Sequence, residues 1–129
     1  MVSRGVFSRN GHVTTTEYHV DHPILDAKVL VGNNGAHGLP DYAHSYDSIY
    51  IKENPDGSFR EMRLYDPKDG RVTIEIAYHA EPNLTSDRHT KVLHYHQYDN
   101  QLKHGEAVKL SASDPLYQKY KKYLEVYGL

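Results

Sequence analysis

The chain has no cysteine and no tryptophan, and only two phenylalanines and two methionines in 129 residues. Without thiols there are no disulfide staples, no thiolate metal ligands and no cysteine nucleophile, and oxidising and reducing compartments stay equally open. An excess of one charge is missing too: 15 basic against 17 acidic residues give a formal net charge of −2, with a pI near 6.5. No overall attraction to nucleic acid or to an anionic membrane follows, and polyanion binding would need a local patch. No apolar run approaches the ~20 residues of a membrane span, and Met1-Val2-Ser3-Arg4-Gly5 lacks the hydrophobic segment of a secretory signal. No membrane partner is expected. Gly32, Gly35 and Gly38 match neither the dinucleotide fingerprint nor a Walker loop, which excludes a nucleotide fold.

What the chain has instead is twelve tyrosines and ten histidines. The tyrosines bring aromatic area that can be buried while each hydroxyl keeps a polar partner. The length suits one domain over residues 1–129. Its first part, residues 1–47, is rich in Gly, Asn, His, Ser and Thr and reads as an irregular leader. A single apolar stretch there, Ile24 to Val31, suits a strand at Lys28 to Val31.

From Ser48 the pattern sharpens. Asn54-Pro55-Asp56-Gly57 separates Ser48–Lys52 from Phe59–Tyr65, and Asp66-Pro67-Lys68-Asp69-Gly70 separates that run from Arg71–His79; Pro followed by Asp-Gly is turn chemistry with a steric cause. A longer connection leads to a fourth run, Lys91–Tyr98. Ser113-Asp114-Pro115 then supplies a helix cap and first-turn proline, followed by Leu116, Tyr120, Tyr123, Leu124 and Tyr127 at three- and four-residue steps. The predicted fold is α+β: a four-stranded antiparallel meander over 48–98, a C-terminal helix within 113–127 and an irregular N-terminal third.

Side chains alternate between the faces of a strand, so the meander sorts itself. Ile49, Ile51, Met62, Leu64, Val72, Ile74, Ile76, Tyr78, Leu93 and Tyr95 form an apolar set for the helix to cover. The opposite set holds Tyr50, Lys52, Glu61, Arg63, Arg71, Thr73, Glu75, His79, His94 and His96. If His79 pairs with Val92, Ala77 falls opposite His94 and Glu75 opposite His96, the spacing of a cross-strand carboxylate–imidazole contact; a two-residue slip would keep the faces and change the partners. One polar face is the default for an antiparallel sheet; the density of histidine on the last two strands is what marks this one as a site.

These groups match the needs of metal-free phosphodiester cleavage. A base takes the ribose 2′-hydroxyl proton, an imidazolium protonates the leaving oxygen, and a cation steadies the charge on phosphorus. The candidates are His79, His94, His96 and Glu75 for proton transfer, and Arg71, Arg63, Lys52, Tyr50 and Thr73 for the substrate, with no cofactor. The same three imidazoles with Glu75 would also satisfy zinc, although no His-Glu-x-x-His, cysteine ligand or acidic calcium loop accompanies them. His12, His19 and His22 read as surface residues, His37 and His44 as loop residues able to reach the sheet, and His89 and His104 as exposed.

The runs Met62-Arg63-Leu64-Tyr65-Asp66-Pro67-Lys68-Asp69-Gly70-Arg71, Ile74-Glu75-Ile76-Ala77-Tyr78-His79 and Leu93-His94-Tyr95-His96 resemble the C-terminal toxin domains of bacterial polymorphic toxins of the contact-dependent inhibition, Rhs and LXG types. Their His-bearing meander is similar to the ribonuclease fold of barnase, EndoU, the colicin ribonucleases and RelE-like toxins. The resemblance implies a secreted effector fragment that cuts RNA without metal in the cytoplasm of a target bacterium and is neutralised by a cognate immunity protein. It also implies acid–base roles for His79, His94 and His96, and phosphate contacts for Arg71, Lys52 or Arg63. Two other classes fit the same residues: a non-enzymatic partner-binding module, such as an immunity or accessory protein, and a His-ligated metal-dependent hydrolase.

Overall fold

The computed structural model describes residues 7–9, 12–14, 18–33, 38–43 and 48–129. In chain order the elements are β1 (Phe7–Arg9), β2 (His12–Thr14), β3 (Tyr18–Ile24), β4 (Ala27–Gly32), β5 (Ile49–Glu53), β6 (Phe59–Tyr65), β7 (Val72–Ala80), α1 (Pro82–Thr85), β8 (Lys91–Gln97), β9 (Val108–Lys109) and α2 (Pro115–Glu125). β1 and β2 form a two-stranded ladder, and β3 to β9 form one seven-stranded sheet in sequence order. Every neighbouring pair in that sheet is antiparallel except β4 and β5, which run parallel. No helix among the described residues is long and apolar enough to cross a membrane.

The α+β class, the mainly antiparallel sheet and the C-terminal helix agree with the sequence reading. The strand count does not: the predicted meander is β5 to β8, and three further strands extend it on both sides. Two of them lie in the supposed irregular leader. β3 escapes a pattern search because it is an edge strand with few buried positions, and because the ladder shifts register between Val20 and His22, around Asp21. β4 begins one residue earlier and ends one later than predicted. The β3–β4 turn puts Leu25 at φ 55°, a left-handed position that a leucine rarely takes, so the turn carries no sequence signature. His37 and His44 lie outside the described residues, and of the His12 region only the backbone is described.

One face of the sheet packs on α2. Ala27, Val29, Ile51, Phe59, Met62, Leu64 and Ile76 meet Tyr123 and Leu124 in a buried cluster, with Ile49, Ile74, Tyr78, Leu93 and Tyr95 around it. The helix starts where predicted: Asp114 accepts a hydrogen bond from Leu116 N at 2.9 Å, and Pro115 occupies the first turn. Its tyrosines are half core and half polar anchor. Tyr123 donates its hydroxyl to Asp26, Tyr127 to Glu53 at 2.6 Å and Tyr117 to the Leu129 carbonyl at 2.8 Å.

The other face is not simply solvated. Residues 38–43, part of the connection between the parallel strands, cross it and build a second core of Tyr18, Leu30, Leu39, Ala43, Tyr50, Tyr65 and Val72. The segment is stitched down by Ala43 N to Gly70 O and Val72 N to Asp41 O, both 2.8 Å. Gly70 makes the approach possible: its φ is +76°, and an added Cβ would lie 3.1 Å from the Ala43 carbonyl. Val72 belongs to this second core and not to the helix face. A bulge shifts the β6–β7 register between Leu64 and Tyr65, pairing Tyr65 with Val72 while Leu64 pairs with Ile74.

Ile76 is fully buried on a central strand. Ile76→Ala is expected to cost about 2–5 kcal/mol through lost contacts and a cavity, read as a lowered urea midpoint with unchanged slope.

Candidate functional site

Of the registers that face alternation allows, the β7–β8 ladder has the one considered above: Glu75 pairs with His96, Ala77 with His94 and His79 with Val92. On that face the imidazoles form a continuous row. Ring centroids are 4.7 Å apart for His79 and His94, 5.3 Å for His94 and His96, and 4.9 Å for His96 and His104, all edge to face. Tyr98 closes the row at 5.8 Å from His104. His104 joins because the chain turns back after β8, forming a bridge between Tyr98 and His104. Lys109 on β9 lies opposite His94, which gives the row an exposed cation that the sequence reading did not single out.

Each ring is held by its Nδ1. The acceptors are Ala80 O for His79 at 2.9 Å, Val92 O for His94 at 2.8 Å, Gly105 O for His96 at 2.8 Å and Gly105 O for His104 at 3.2 Å. A carbonyl can only accept, so Nδ1 carries the proton and in the neutral ring Nε2 presents a lone pair. His94 is the extreme case. Among the described residues it is the one buried histidine, at 0% exposure, and its Nε2 has no hydrogen-bond partner. Burial holds its pKa below the ordinary histidine value, helped by His79 and His96 and opposed by the Val92 hydrogen bond. His79 and His96 are only half-buried.

The carboxylate that meets the row is not the predicted one. Glu75 lies beside His96 in register, but its Oε1 accepts from Arg63 Nε at 2.9 Å, and no hydrogen bond or ion pair joins it to His96. Glu81 takes that place: its carboxylate and the ring nitrogens of His94 and His96 offer donor atoms that all lie within 4.8 Å of one another. Glu81 stands two residues beyond His79, at the N-cap of α1. Continuing the period-two rule one step past the strand end would have found it.

Arg63 does not present a free guanidinium. Besides Glu75, it donates from Nη1 to Leu39 O at 2.9 Å, Pro40 O at 3.3 Å and Asp41 Oδ1 at 3.1 Å, and from Nη2 to the Tyr98 hydroxyl at 3.1 Å. Arg71 is also turned inward, its Nη1 on Val72 O at 3.4 Å and Asp99 O at 3.0 Å, with Asp69 at 3.8 Å from Nε. Thr73 donates to Leu64 O at 3.1 Å, and Tyr50 is sealed in the second core. Lys52 lines a cleft of about 780 Å³ with Arg60, Glu53 and Asp21, and none of the row histidines lines it. Of the five predicted substrate contacts, Arg63, Arg71 and Thr73 are engaged with other partners and Tyr50 is buried in the second core; Arg63 reaches the row through Tyr98.

Glu61 was placed on the polar face but not among the site residues. It pairs with Lys52 on one side and Ala77 on the other. Burial, and then the charge of Glu75, push its carboxyl up to about 7, against the pull of Arg63, Lys52 and Arg60. Comparison of the chain with protein-family models, with curated proteins and with solved structures found no match.

Two measurements follow from this electrostatic arrangement. Removing a buried, paired guanidinium strands its partners, so Arg63→Ala is expected to cost about 3–5 kcal/mol. Arg63→Lys should recover only part of this, because an ammonium cannot reproduce the fork. A loss under about 1 kcal/mol by urea denaturation would show that the network is not structural. Glu61 binds its proton more tightly folded than unfolded, so its contribution to stability falls as pH rises from about 4.5 to about 7 and stays low above. Glu61→Gln should therefore gain roughly 1–3 kcal/mol over wild type at pH 8 and little at pH 4; a gain equal at both pH values would assign the effect to something other than this carboxyl.

Proposed function

We propose that the chain is an antibacterial effector domain that cleaves RNA, acts in the cytoplasm of a target bacterium as a secreted fragment, and is held inactive by a cognate immunity protein. The observation that carries this reading is the row of imidazoles, each with Nδ1 fixed on a carbonyl and Nε2 left for chemistry. Half-buried His79 and His96 flank sealed His94 and are the proton-transfer pair. One neutral imidazole removes the 2′-hydroxyl proton as that oxygen bonds phosphorus; the other, protonated, delivers its proton to the departing 5′-oxygen as its bond to phosphorus breaks. His94 supplies no proton in this scheme and sets the spacing between the two. Charge on the phosphorane falls to Lys109, since Arg63 and Arg71 are spent on internal partners.

A second reading, a non-enzymatic partner-binding module, draws on that same internal use of the arginines, which leaves few cations for a polyanion. Inducible expression separates the two. Wild type should arrest growth and degrade total RNA, and His79→Ala and His96→Ala should each lower cleavage by about 10²–10⁴-fold while circular dichroism stays unchanged. Intact RNA in cells making folded wild type would favour the binding module.

A further inference from the structure

We propose that His94 Nε2, His96 Nε2 and the Glu81 carboxylate form a zinc site. Three independent features converge on it. One ring nitrogen of each histidine and a Glu81 carboxylate oxygen lie within 4.8 Å of one another, so a point no more than about 2.8 Å from all three exists; with both Nδ1 atoms engaged on carbonyls, Nε2 is the nitrogen left to bind. Shifts of under about 1 Å would bring each to the 2.0–2.2 Å of a zinc bond. Both histidines have the outer-shell arrangement of a metal ligand, Nδ1–H on a backbone carbonyl, at 2.8 Å in each case. And His94 Nε2 is buried with no partner of its own, a cost that the fold otherwise leaves uncompensated.

Two imidazoles and one carboxylate leave a fourth position for water, the composition of a catalytic rather than a structural zinc. The set excludes hard cations, which prefer oxygen throughout. His79 and His104 flank the ligands in the row without belonging to the donor set. The site does not depend on RNA cleavage. If that reading holds, a zinc-bound His96 has no free Nε2 for proton transfer, so cleavage by the His79–His96 pair belongs to the zinc-free protein.

The test uses tag-free full-length protein, stripped with chelator and dialysed against Zn²⁺, with elemental analysis and Co²⁺ substitution. One equivalent of zinc, a visible tetrahedral Co²⁺ spectrum and a raised Tm are expected. All three signals should be lost in His96→Ala, and the affinity for zinc lowered by at least about tenfold in Glu81→Gln, since even outer-shell losses cost that much. His22→Ala, on the far strand β3, should keep the full equivalent. His96 and Glu81 are only half-buried, so these variants remain informative if His94→Ala fails to fold. Failure of folded wild type to retain zinc, or retention by His96→Ala, overturns the site. Zinc bound by protein whose zinc-free form leaves RNA intact upholds the site and removes the nuclease reading. RNA cut by protein that takes up no zinc does the reverse.

Discussion

The guanidinium of Arg63 holds the two layers of the polar face together. It rises from the middle of β6, pairs sideways with Glu75, and reaches upward to the Leu39 and Pro40 carbonyls, Asp41 and Tyr98. In residues 38–43, Leu39 and Ala43 join the second core and Pro40 is fully buried, but the backbone lies outside the sheet ladder. An extended segment over a sheet must find partners for its backbone polar groups, and Arg63 with Tyr65, whose hydroxyl donates to Pro40 O at 2.6 Å, supplies them. That fixed segment in turn roofs Tyr50, Tyr65 and Val72. The second core, and with it the division of the face into a covered half and a histidine half, rests on Arg63 together with Tyr65 and the backbone bonds to Gly70 and Val72.

This division explains why the predicted substrate contacts and the predicted acid–base groups separate. In sequence they look equivalent, polar residues at alternate positions on one sheet face. In the fold, those on β5 and β6 lie toward the crossover and those on the outer part of β7 and on β8 lie toward the chain that returns through His104 and β9. Glu75 sits between the two and is captured by the stronger, permanently charged partner.

Much of the central sheet was legible because its turns are written in Pro, Asp and Gly and its strands alternate cleanly. The β7–β8 register was legible only in part: alternation fixes which residues share a face, but a two-residue slip would have kept the faces and changed the partners. What stayed hidden depends on contacts distant in sequence. β3 and β4 pair through a turn whose left-handed position is a leucine. β9 is two exposed residues. Val72 changes face at a bulge that its alternating neighbours do not announce. Glu81 lies past a strand end, where a strand-by-strand reading stops.

The return of the chain beside β8 has one more effect. Gly105 N donates to Gln97 O at 2.7 Å and Leu110 N to Leu93 O at 3.0 Å, with the two residue pairs of β9 between them. The outer border of the sheet is thereby hemmed by its own backbone, irregularly and over a short length. Unsatisfied ladder groups at such a margin invite strands from other molecules; here an intruding strand would first have to strip off the hem and release the carbonyl that fixes His96. Orientation of the imidazoles and resistance to intermolecular β-sheet growth are thus supplied by the same stretch of chain.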